Sequence, residues 1–209
     1  MSTPTATQKK LVDVFGRYAS GVTVVTCTNA EGRPHGATVT AFTAVSHDPY
    51  LCQVTLTKKS KACQYLDGRP FAVNFLAAEQ TSVAMHFAGR PTLPAPVLVD
   101  GDEAPYLDDA LATVICRPWR TYDAGDHLIF IGEIVETRLH DAEPLLYFAR
   151  GFHRLTPADP QHAWAGCSDD PLMGWFGEDA SFVPAHVVDQ PVSSKSLPAH
   201  VPARQEANA

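Results

Sequence analysis

Hydrophobic positions follow a helical spacing near the start of the chain and strand-like patterns over most of the remainder. The helical spacing predicts a short amphipathic helix over residues 8–19, ended by Ser20 and Gly21. Beyond it, runs rich in β-branched residues and separated by turn-forming residues predict strands. These predicted strands cover residues 22–28, 37–45, 50–56, 71–76, 112–117 and 128–138. Two further helices are predicted over residues 59–66 and 79–88.

This order of elements indicates the fold class. Several strands with few, short helices, and no regular strand–helix–strand alternation, favour an antiparallel barrel. The chain has no GxGxxG and no GxxxxGK[ST] sequence, so any nucleotide would bind without the dinucleotide-fold signature.

The C-terminal quarter differs in kind from the rest. It holds 7 of the 17 prolines and shows no sustained periodicity. We therefore predict a barrel domain over residues 1–155 and a proline-rich extension over residues 156–209 that is partly disordered. The extension also carries an apolar cluster that could cover the barrel, shield a ligand or dock a partner. Its members are Trp164, Met173, Trp175 and Phe176.

Composition and charge narrow the function classes. The net charge of −7 argues against a nucleic-acid partner, because neutralising phosphates requires clustered Lys and Arg. The N-terminus lacks a secretion signal, and no run approaches 18 apolar residues, so we expect no membrane span. Five cysteines without a CxxC pair favour reduced, buried thiols, and therefore a cytoplasmic protein.

Motifs for nucleophilic or metal-dependent catalysis do not occur. The chain has neither GxSxG nor HExxH, and its nine histidines are scattered without ligand-like spacing. We therefore expect no metal site. The remaining possibility is chemistry carried by a bound organic cofactor that the protein positions.

Five stretches carry a resemblance to a known family, in that family's order and spacing across about residues 15–155. They are YASGVTVVT at 18–26, GATVTAFTAVS at 36–46, FAVN at 71–74, GDH at 125–127 and PLLYF at 144–148. Together they resemble the flavin reductase-like domain family, which includes the reductase components of two-component flavin-dependent monooxygenases. The resemblance implies a mostly β fold: an antiparallel Greek-key split β-barrel of the FMN-binding split-barrel type, with a few short flanking helices.

The resemblance also implies a flavin site. The implied contacts are Thr38, Val39, Thr40, Ala41, Phe42, Gln53, Val54, Thr55, Ser60, Lys61, His86, Phe87 and Ala88. The residues themselves agree in part, because small side chains let a planar ring approach a strand closely. Ser60 opens a predicted helix whose free N–H groups suit phosphate. The alternatives are an ordinary strand with exposed threonines and a capping serine beside solvated lysines.

A nicotinamide site is implied at two places. The first is Gly125, Asp126 and His127, where the glycine permits close approach and the histidine ring can hydrogen-bond a carboxamide or phosphate. We expect His127 to position the nicotinamide rather than act as a general acid, because hydride transfer depends above all on geometry. The second is the stretch Phe152-His153-Arg154. The alternatives are a loop histidine without a task and, at Arg154, a surface cation.

The predicted function is an NAD(P)H:flavin oxidoreductase that reduces FMN or FAD and supplies reduced flavin to a separate oxygenase. The family also implies a homodimer. Three alternatives remain: a flavoprotein that retains its flavin and reduces a corrinoid, a metal complex or an organic substrate itself; a non-catalytic flavin-binding or redox-sensing module; and a structural or interaction protein. The choices between FMN and FAD, and between NADH and NADPH, stay open at this point.

Overall fold

The structure is a computed structural model that describes residues 5–156. Its helices are α1 (Ala6–Phe15), α2 (Lys61–Leu66) and α3 (Thr81–Phe87). Its strands are β1 (Ser20–Gly21), β2 (Thr23–Thr28), β3 (Pro34–Val39), β4 (Phe42–His47), β5 (Tyr50–Thr57), β6 (Phe71–Phe75), β7 (Ala112–Ala124), β8 (His127–Leu139), β9 (Leu146–Phe148) and β10 (Gly151–His153). The predicted extension, with its apolar cluster, lies outside the described residues apart from Thr156, so its properties stay predictions.

Two antiparallel sheets make up the domain. Seven strands form the larger sheet in the order β3-β2-β6-β7-β8-β5-β4, and β1, β9 and β10 form the smaller one. Strands β3 and β4 are consecutive in the chain, yet they lie at opposite edges of the larger sheet. The mostly β, antiparallel architecture with few helices is the predicted fold class.

The chain passes from one edge of the sheet to the other in a single step. Val39, the last residue of β3, pairs with Thr23 at one edge. At the other edge, the Thr55 N–H donates to the Ala41 carbonyl at 3.1 Å. Only Thr40 lies between these two pairings, and we call this crossing the seam. The prediction of one continuous strand over residues 37–45 is therefore wrong, because a run of β-branched residues does not reveal a change of partner strand.

Two groups of apolar side chains form most of the core. One lies within the larger sheet and includes Val25, Val54, Leu66, Phe71 and Phe130. The other lies where α3 and the smaller sheet meet the larger one, and includes Val22, Val24, Leu76, Ala84 and Leu145. Each large aliphatic or aromatic side chain stabilises the fold by roughly 1.5–3 kcal/mol on burial. Both groups are made by residues distant in sequence, so the core depends on the full set of strand pairings.

Asn74 is a fully buried polar residue near the C-terminal end of β6. Its Nδ2 donates to the Val24 carbonyl at 2.8 Å and to the Thr26 hydroxyl at 3.0 Å. Its Oδ1 accepts from the Leu107 N–H at 2.8 Å and the Thr113 hydroxyl at 3.2 Å. A buried amide is tolerated when its donors and acceptors are satisfied. The FAVN stretch therefore contributes a structural tie between strands.

The first helix and the long hairpin differ from their predicted bounds. The helix begins two residues earlier than predicted, with a Thr5–Gln8 capping box, and ends at Phe15. Ser20 and Gly21 form β1 and pair with β9 instead of ending the helix. Strand β7 continues to Ala124, well past the predicted end. Its outer half is exposed, so the sequence there lacks the alternation of apolar and polar residues that predicts a half-buried strand.

Four cysteines lie in the described part of the chain, at positions 27, 52, 63 and 116. All four are free and buried, and Cys167 lies outside this part. Burial raises the pKa of the Cys27 thiol to about 12, which keeps it protonated at neutral pH. Separately, no helix among the described residues is both long and apolar enough to cross a bilayer.

Candidate functional site

A cavity of about 650 Å³ opens at the seam. The end of β3, the crossing residues, β5, α3 and the β7–β8 turn form its walls. Most of the predicted flavin contacts line this seam cavity: Thr38, Val39, Thr40, Ala41, Thr55, Ser60, Phe87 and Ala88. His127, predicted for the nicotinamide, also lines it. The structure thus brings together residues that are far apart in the sequence.

Other predicted flavin contacts lie elsewhere. Val54 is fully buried, and its side chain belongs to the core rather than to the seam cavity. Phe42 packs edge-on against Phe75, with ring centroids 4.7 Å apart. Gln53 lies between Thr43 of β4 and Ile131 of β8, one step farther along the same face of β5 as Thr55.

Two polar side chains of the cavity wall differ in their bonding. The Thr38 hydroxyl donates to the Ala84 carbonyl at 2.6 Å, so it ties β3 to α3. Ser60 precedes α2 in extended conformation, and its side chain makes no capping hydrogen bond. The alternative of a capping serine is therefore not observed, and the Ser60 hydroxyl remains available to a ligand.

Gly36 explains how Phe87 reaches the wall. A Cβ at Gly36 would lie 2.7 Å from two atoms of the Phe87 ring, closer than real contacts allow. The small residue on β3 therefore accommodates a protein ring at this position. Phe87 lines both the seam cavity and an adjoining cavity of about 440 Å³, and the two cavities also share Ala37 and Ser60.

The β7–β8 turn is fixed against the segment that precedes α2. Gly125 has a φ of +75° and donates its N–H to the Asp123 carboxylate at 3.1 Å. The Lys58 N–H donates to the Asp126 carbonyl at 3.0 Å, and the Lys58 ammonium pairs with Asp123. These bonds hold the turn, and with it His127, at the edge of the seam cavity.

His127 is oriented by its neighbour in the chain. Its Nδ1 lies 2.6 Å from the Asp126 carboxylate. A hydrogen bond from His127 holds the pKa of the Asp126 carboxyl below its usual range. An ionised carboxylate only accepts, so Nδ1 carries a proton and, in the neutral ring, Nε2 is the acceptor. Neither Gly125 nor Asp126 lines the seam cavity, whereas His127 does.

The three residues of the second predicted nicotinamide stretch, 152–154, lie in different surroundings. Phe152 packs against Tyr147 with centroids 5.6 Å apart, and it lines a third cavity of about 660 Å³ that reaches Thr38 and Thr40. The His153 Nε2 lies 3.1 Å from the Phe148 carbonyl oxygen. Arg154 pairs with Glu79 at 2.9 Å. Only Phe152 therefore borders the site.

Comparison with known proteins decides the family. The profile of the flavin reductase like domain matches residues 15–156. The chain belongs to this family.

Relatives of the flavin reductase-like chain match it over most of their own length. It is 32% identical over 165 residues to an NADH-dependent flavin reductase of Rhodococcus sp, covering 77% of this chain and 94% of that protein. It is 37% identical over 145 residues to the reductase component of 4-hydroxyphenylacetate 3-monooxygenase of Thermus thermophilus, covering 68% and 93%.

A solved structure extends this comparison. The NADH:FAD oxidoreductase of Streptomyces globisporus, in complex with NAD and FAD fragments, matches with a TM-score of 0.67 and 32% identity, covering 75% of this chain and 98% of that one. The predicted resemblance, the split-barrel fold class and the prediction of an oxidoreductase of flavin reductase type are confirmed.

The cavity of this flavin reductase-like chain fits a flavin. The crossing residues carry small side chains, so a planar ring can lie along them, and Thr40 and Ser60 supply hydroxyls. Within residues 5–156, no group of three His, Cys, Asp or Glu side chains could hold a metal ion.

Sequence reasoning missed several residues of the flavin reductase-like site. Thr57 and Ala124 line the seam cavity, and the alternation of β5 could have pointed to Thr57 as the next residue on the face of Thr55. Arg90 and Arg150 line the third cavity. Arg150 has a φ of +68°, an uncommon conformation that no sequence pattern indicates.

Proposed function

We propose that this chain is an NADH-dependent flavin reductase that supplies reduced FMN or FAD to a separate oxygenase. The observation that carries the proposal is the seam cavity, which is lined by most of the implied flavin contacts and by His127. The names of the relatives support NADH as the donor and an oxygenase as the partner.

The residues have distinct roles in this proposal. Residues 38–41, which run from the end of β3 across the seam, bind the isoalloxazine ring. Ser60 donates its hydroxyl hydrogen to the ribityl or phosphate oxygens. His127 positions the nicotinamide, since Nε2 can accept from the carboxamide NH₂. When both ligands are bound, the reduced nicotinamide would supply a hydride and the oxidised flavin would accept it. The protein contributes mainly by positioning the two ligands, because the rate of hydride transfer depends above all on their relative geometry.

The proposed supply of reduced flavin to an oxygenase requires that the reduced flavin leaves this protein. The alternative is a flavoprotein that keeps its flavin and reduces another substrate itself. Gel filtration of the flavin-loaded protein distinguishes the two, because a retained yellow protein favours the alternative. Binding without NADH oxidation would favour a non-catalytic flavin-binding module.

We also propose a homodimer. Helix α1 buries none of its residues, and Phe15 and the neighbouring Tyr18 are 70% and 81% exposed. At the β4 edge, Tyr50 is 63% exposed. Apolar surface of this kind marks interaction sites in soluble proteins. Light scattering that gave the mass of one chain would contradict the homodimer.

A cytoplasmic location is proposed with the same function. The free, buried state of the four described cysteines supports it, because such thiols persist in reducing compartments. Fractionation of cells that produce the protein tests the location directly.

Stopped-flow mixing of the protein with flavin and NADH tests the activity. We expect the visible absorption of oxidised flavin to disappear much faster than in buffer alone. The proposal is wrong if the protein gives no acceleration with either FMN or FAD.

Replacing His127 tests the nicotinamide position. His127→Ala removes one hydrogen bond, so we expect the KM for NADH to rise about three- to tenfold while the KM for flavin stays nearly constant. His153→Ala is the matched control, because that ring is bonded to the Phe148 carbonyl and does not line the seam cavity. Equal effects on both KM values would remove His127 from the nicotinamide site.

A further inference from the structure

Two buried cysteines meet inside the barrel, away from the proposed flavin site. Cys52 of β5 and Cys116 of β7 are both fully buried, and their Sγ atoms lie 3.5 Å apart in a thiol–thiol hydrogen bond. The two strands are not neighbours, because β8 lies between them in the larger sheet. Neither cysteine lines the seam cavity, so the proposed activity does not account for this contact.

A glycine and a β-bulge allow the two thiols to meet. Gly132 of β8 pairs directly with Cys52, so the strand between the two cysteines carries no side chain at this point. A Cβ at Gly132 would lie 2.7 Å from the Cys116 Cβ, closer than real contacts allow. The pairing of β7 with β8 shifts register between Ile115 and Cys116, and bulges of this kind redirect side chains. Two separate features of the backbone therefore bring together thiols that are 64 positions apart in the chain.

The hydrogen bond makes the two thiols chemically unequal. With Cys116 as the donor, it lowers the pKa of the Cys52 thiol, while burial acts in the opposite direction. The same hydrogen bond, and then burial, raise the pKa of the Cys116 thiol. Cys52 is therefore the sulfur that ionises more readily, and the thiolate is the form of cysteine that reacts with oxidants.

We propose that Cys52 and Cys116 form a reversible disulfide in the presence of hydrogen peroxide, and that this bond restrains β5 against β7. An S–S bond is about 2 Å long, so the two sulfurs need to approach each other by roughly 1.5 Å. Disulfides of proteins in reducing compartments are usually transient ones of this kind. Reduced flavin gives hydrogen peroxide when it meets dioxygen, so a chain that releases reduced flavin works close to this oxidant. That source rests on the proposed function, whereas the chemistry of the thiol pair does not.

The reaction consumes one peroxide and releases two waters. The Cys52 thiolate attacks one peroxide oxygen, the O–O bond breaks, and the sulfur becomes a sulfenic acid. The other oxygen leaves as hydroxide and takes up the proton that Cys52 lost. The Cys116 sulfur then attacks the Cys52 sulfur, so that the S–S bond forms and the S–O bond breaks. The second hydroxide leaves with the Cys116 proton, and the two thiols have been oxidised while the peroxide has been reduced.

Local opening of the sheet gives the oxidant access to the pair. Strand β4 is the edge strand beside β5, and its pairing with β5 is irregular between Ala44 and Ser46, next to Cys52. Weakly paired segments open at a lower free energy than the centre of a sheet. Hydrogen peroxide is little larger than water, so a small opening admits it. We therefore expect the oxidation to be slower than that of an exposed thiol, yet to occur in the folded protein.

The test is a thiol count on the full-length protein, fully reduced first and then exposed to millimolar hydrogen peroxide. Titration in denaturant should show the number of free thiols fall from five to three. Mass spectrometry of an unreduced digest should join the peptides that carry Cys52 and Cys116, and dithiothreitol should separate them. Retention of all five thiols, or a disulfide between any other two cysteines, would overturn the proposal.

Variants locate the reaction within the pair. Cys52→Ala and Cys116→Ala should each prevent formation of an intramolecular disulfide. Cys27→Ala removes an equally buried thiol outside the pair and is the matched control, in which the count should fall from four to two. Circular dichroism and the Tm of each variant show whether it is folded. If the alanine variants do not fold, the peptide map of the wild type decides the question by itself.

The Tm measures the restraint. Because the disulfide closes a long loop between distant strands, the oxidised wild type should melt about 5–10 °C above the reduced protein. Dithiothreitol should reverse this rise, and peroxide should produce no rise in Cys116→Ala. A disulfide that forms without raising the Tm would overturn the restraining role.

These measurements also separate the inference from the proposed function. Neither the thiol count nor the Tm requires flavin or NADH. A chain that forms the disulfide but reduces no flavin would contradict the proposed function alone. A chain that reduces flavin but keeps its five thiols in peroxide would contradict only this inference.

Discussion

Asp126 contacts the ring of His127 and does not line the seam cavity, so in the proposed function it acts through that ring. Its side chain is 86% exposed, so its carboxylate acts by orienting the ring and not by creating a buried charge. The resemblance implies that Asp126 contacts the nicotinamide, whereas we propose that it positions His127. Such a role gives a distinctive dependence on pH.

We expect Asp126→Asn to raise the KM for NADH about two- to fivefold at neutral pH, the size of an exposed ion-pair effect. The pKa of Asp126 is lowered in the folded protein, so its carboxylate holds His127 at neutral pH and loses this hold only as pH falls through that lowered pKa. The KM for NADH of the wild type should therefore rise at the acid end.

Asp126→Asn lacks the carboxylate at every pH, so the ratio of its KM for NADH to that of the wild type should fall toward one at the acid end. Asp48→Asn, in the β4–β5 turn, is a control that should behave like the wild type. A KM for flavin that changes as much as that for NADH would contradict the positioning role. Steady-state kinetics across acid and neutral pH supply all three comparisons.

At the residue scale, the motifs predicted most of the seam cavity but not the use of each side chain. Thr38 and Thr40 are alike in sequence, yet one donates to the Ala84 carbonyl and the other borders the cavity. Gly36 is small because Phe87 packs over it. These differences depend on contacts between distant parts of the chain, which a local pattern does not encode.

At the scale of single elements, the Asn74 side chain ties β6 to β2, to β7 and to the backbone of Leu107. We expect Asn74→Ala to lower the free energy of unfolding by about 2–4 kcal/mol, because it leaves buried groups of β2 and Leu107 without partners. A loss of about 3 kcal/mol corresponds to a Tm lower by about 6–12 °C in a domain of this size.

Thermal and urea unfolding measure this loss. Gln64→Ala, on the exposed side of α2, is the matched control and should change the Tm by little. An Asn74→Ala variant as stable as the wild type would show that the buried groups find other partners.

Element positions were predictable where burial alternates, and less so where it does not. Strand β5 alternates buried and half-buried residues, and its predicted and observed bounds agree closely. Strand β7 loses this alternation beyond Cys116, so its exposed half was missed. The merged prediction over residues 37–45 has a different cause, because strand propensity continues through the seam while the partner strand changes.

At the scale of the whole molecule, composition and element order indicated an antiparallel barrel, and the family resemblance narrowed it to the split type. The strand order was beyond local reasoning, since it is decided by pairings such as β6 with β2 and β7. The result is that consecutive strands occupy opposite edges, with Thr40 between them. Three cavities border Thr40, so the site lies where the barrel closes.

If flavin binds in the seam cavity as proposed, its binding opposes local opening of the sheet at the crossing. Such opening would break the hydrogen bond from the Thr55 amide to the Ala41 carbonyl and disrupt the wall of the cavity. A flavin at 100 times its Kd should therefore slow hydrogen–deuterium exchange of the Thr55 amide about 100-fold. The amide of Val73, in the centre of the sheet, should exchange at an unchanged rate, and equal slowing of both would mean that the seam opens only when the whole barrel unfolds.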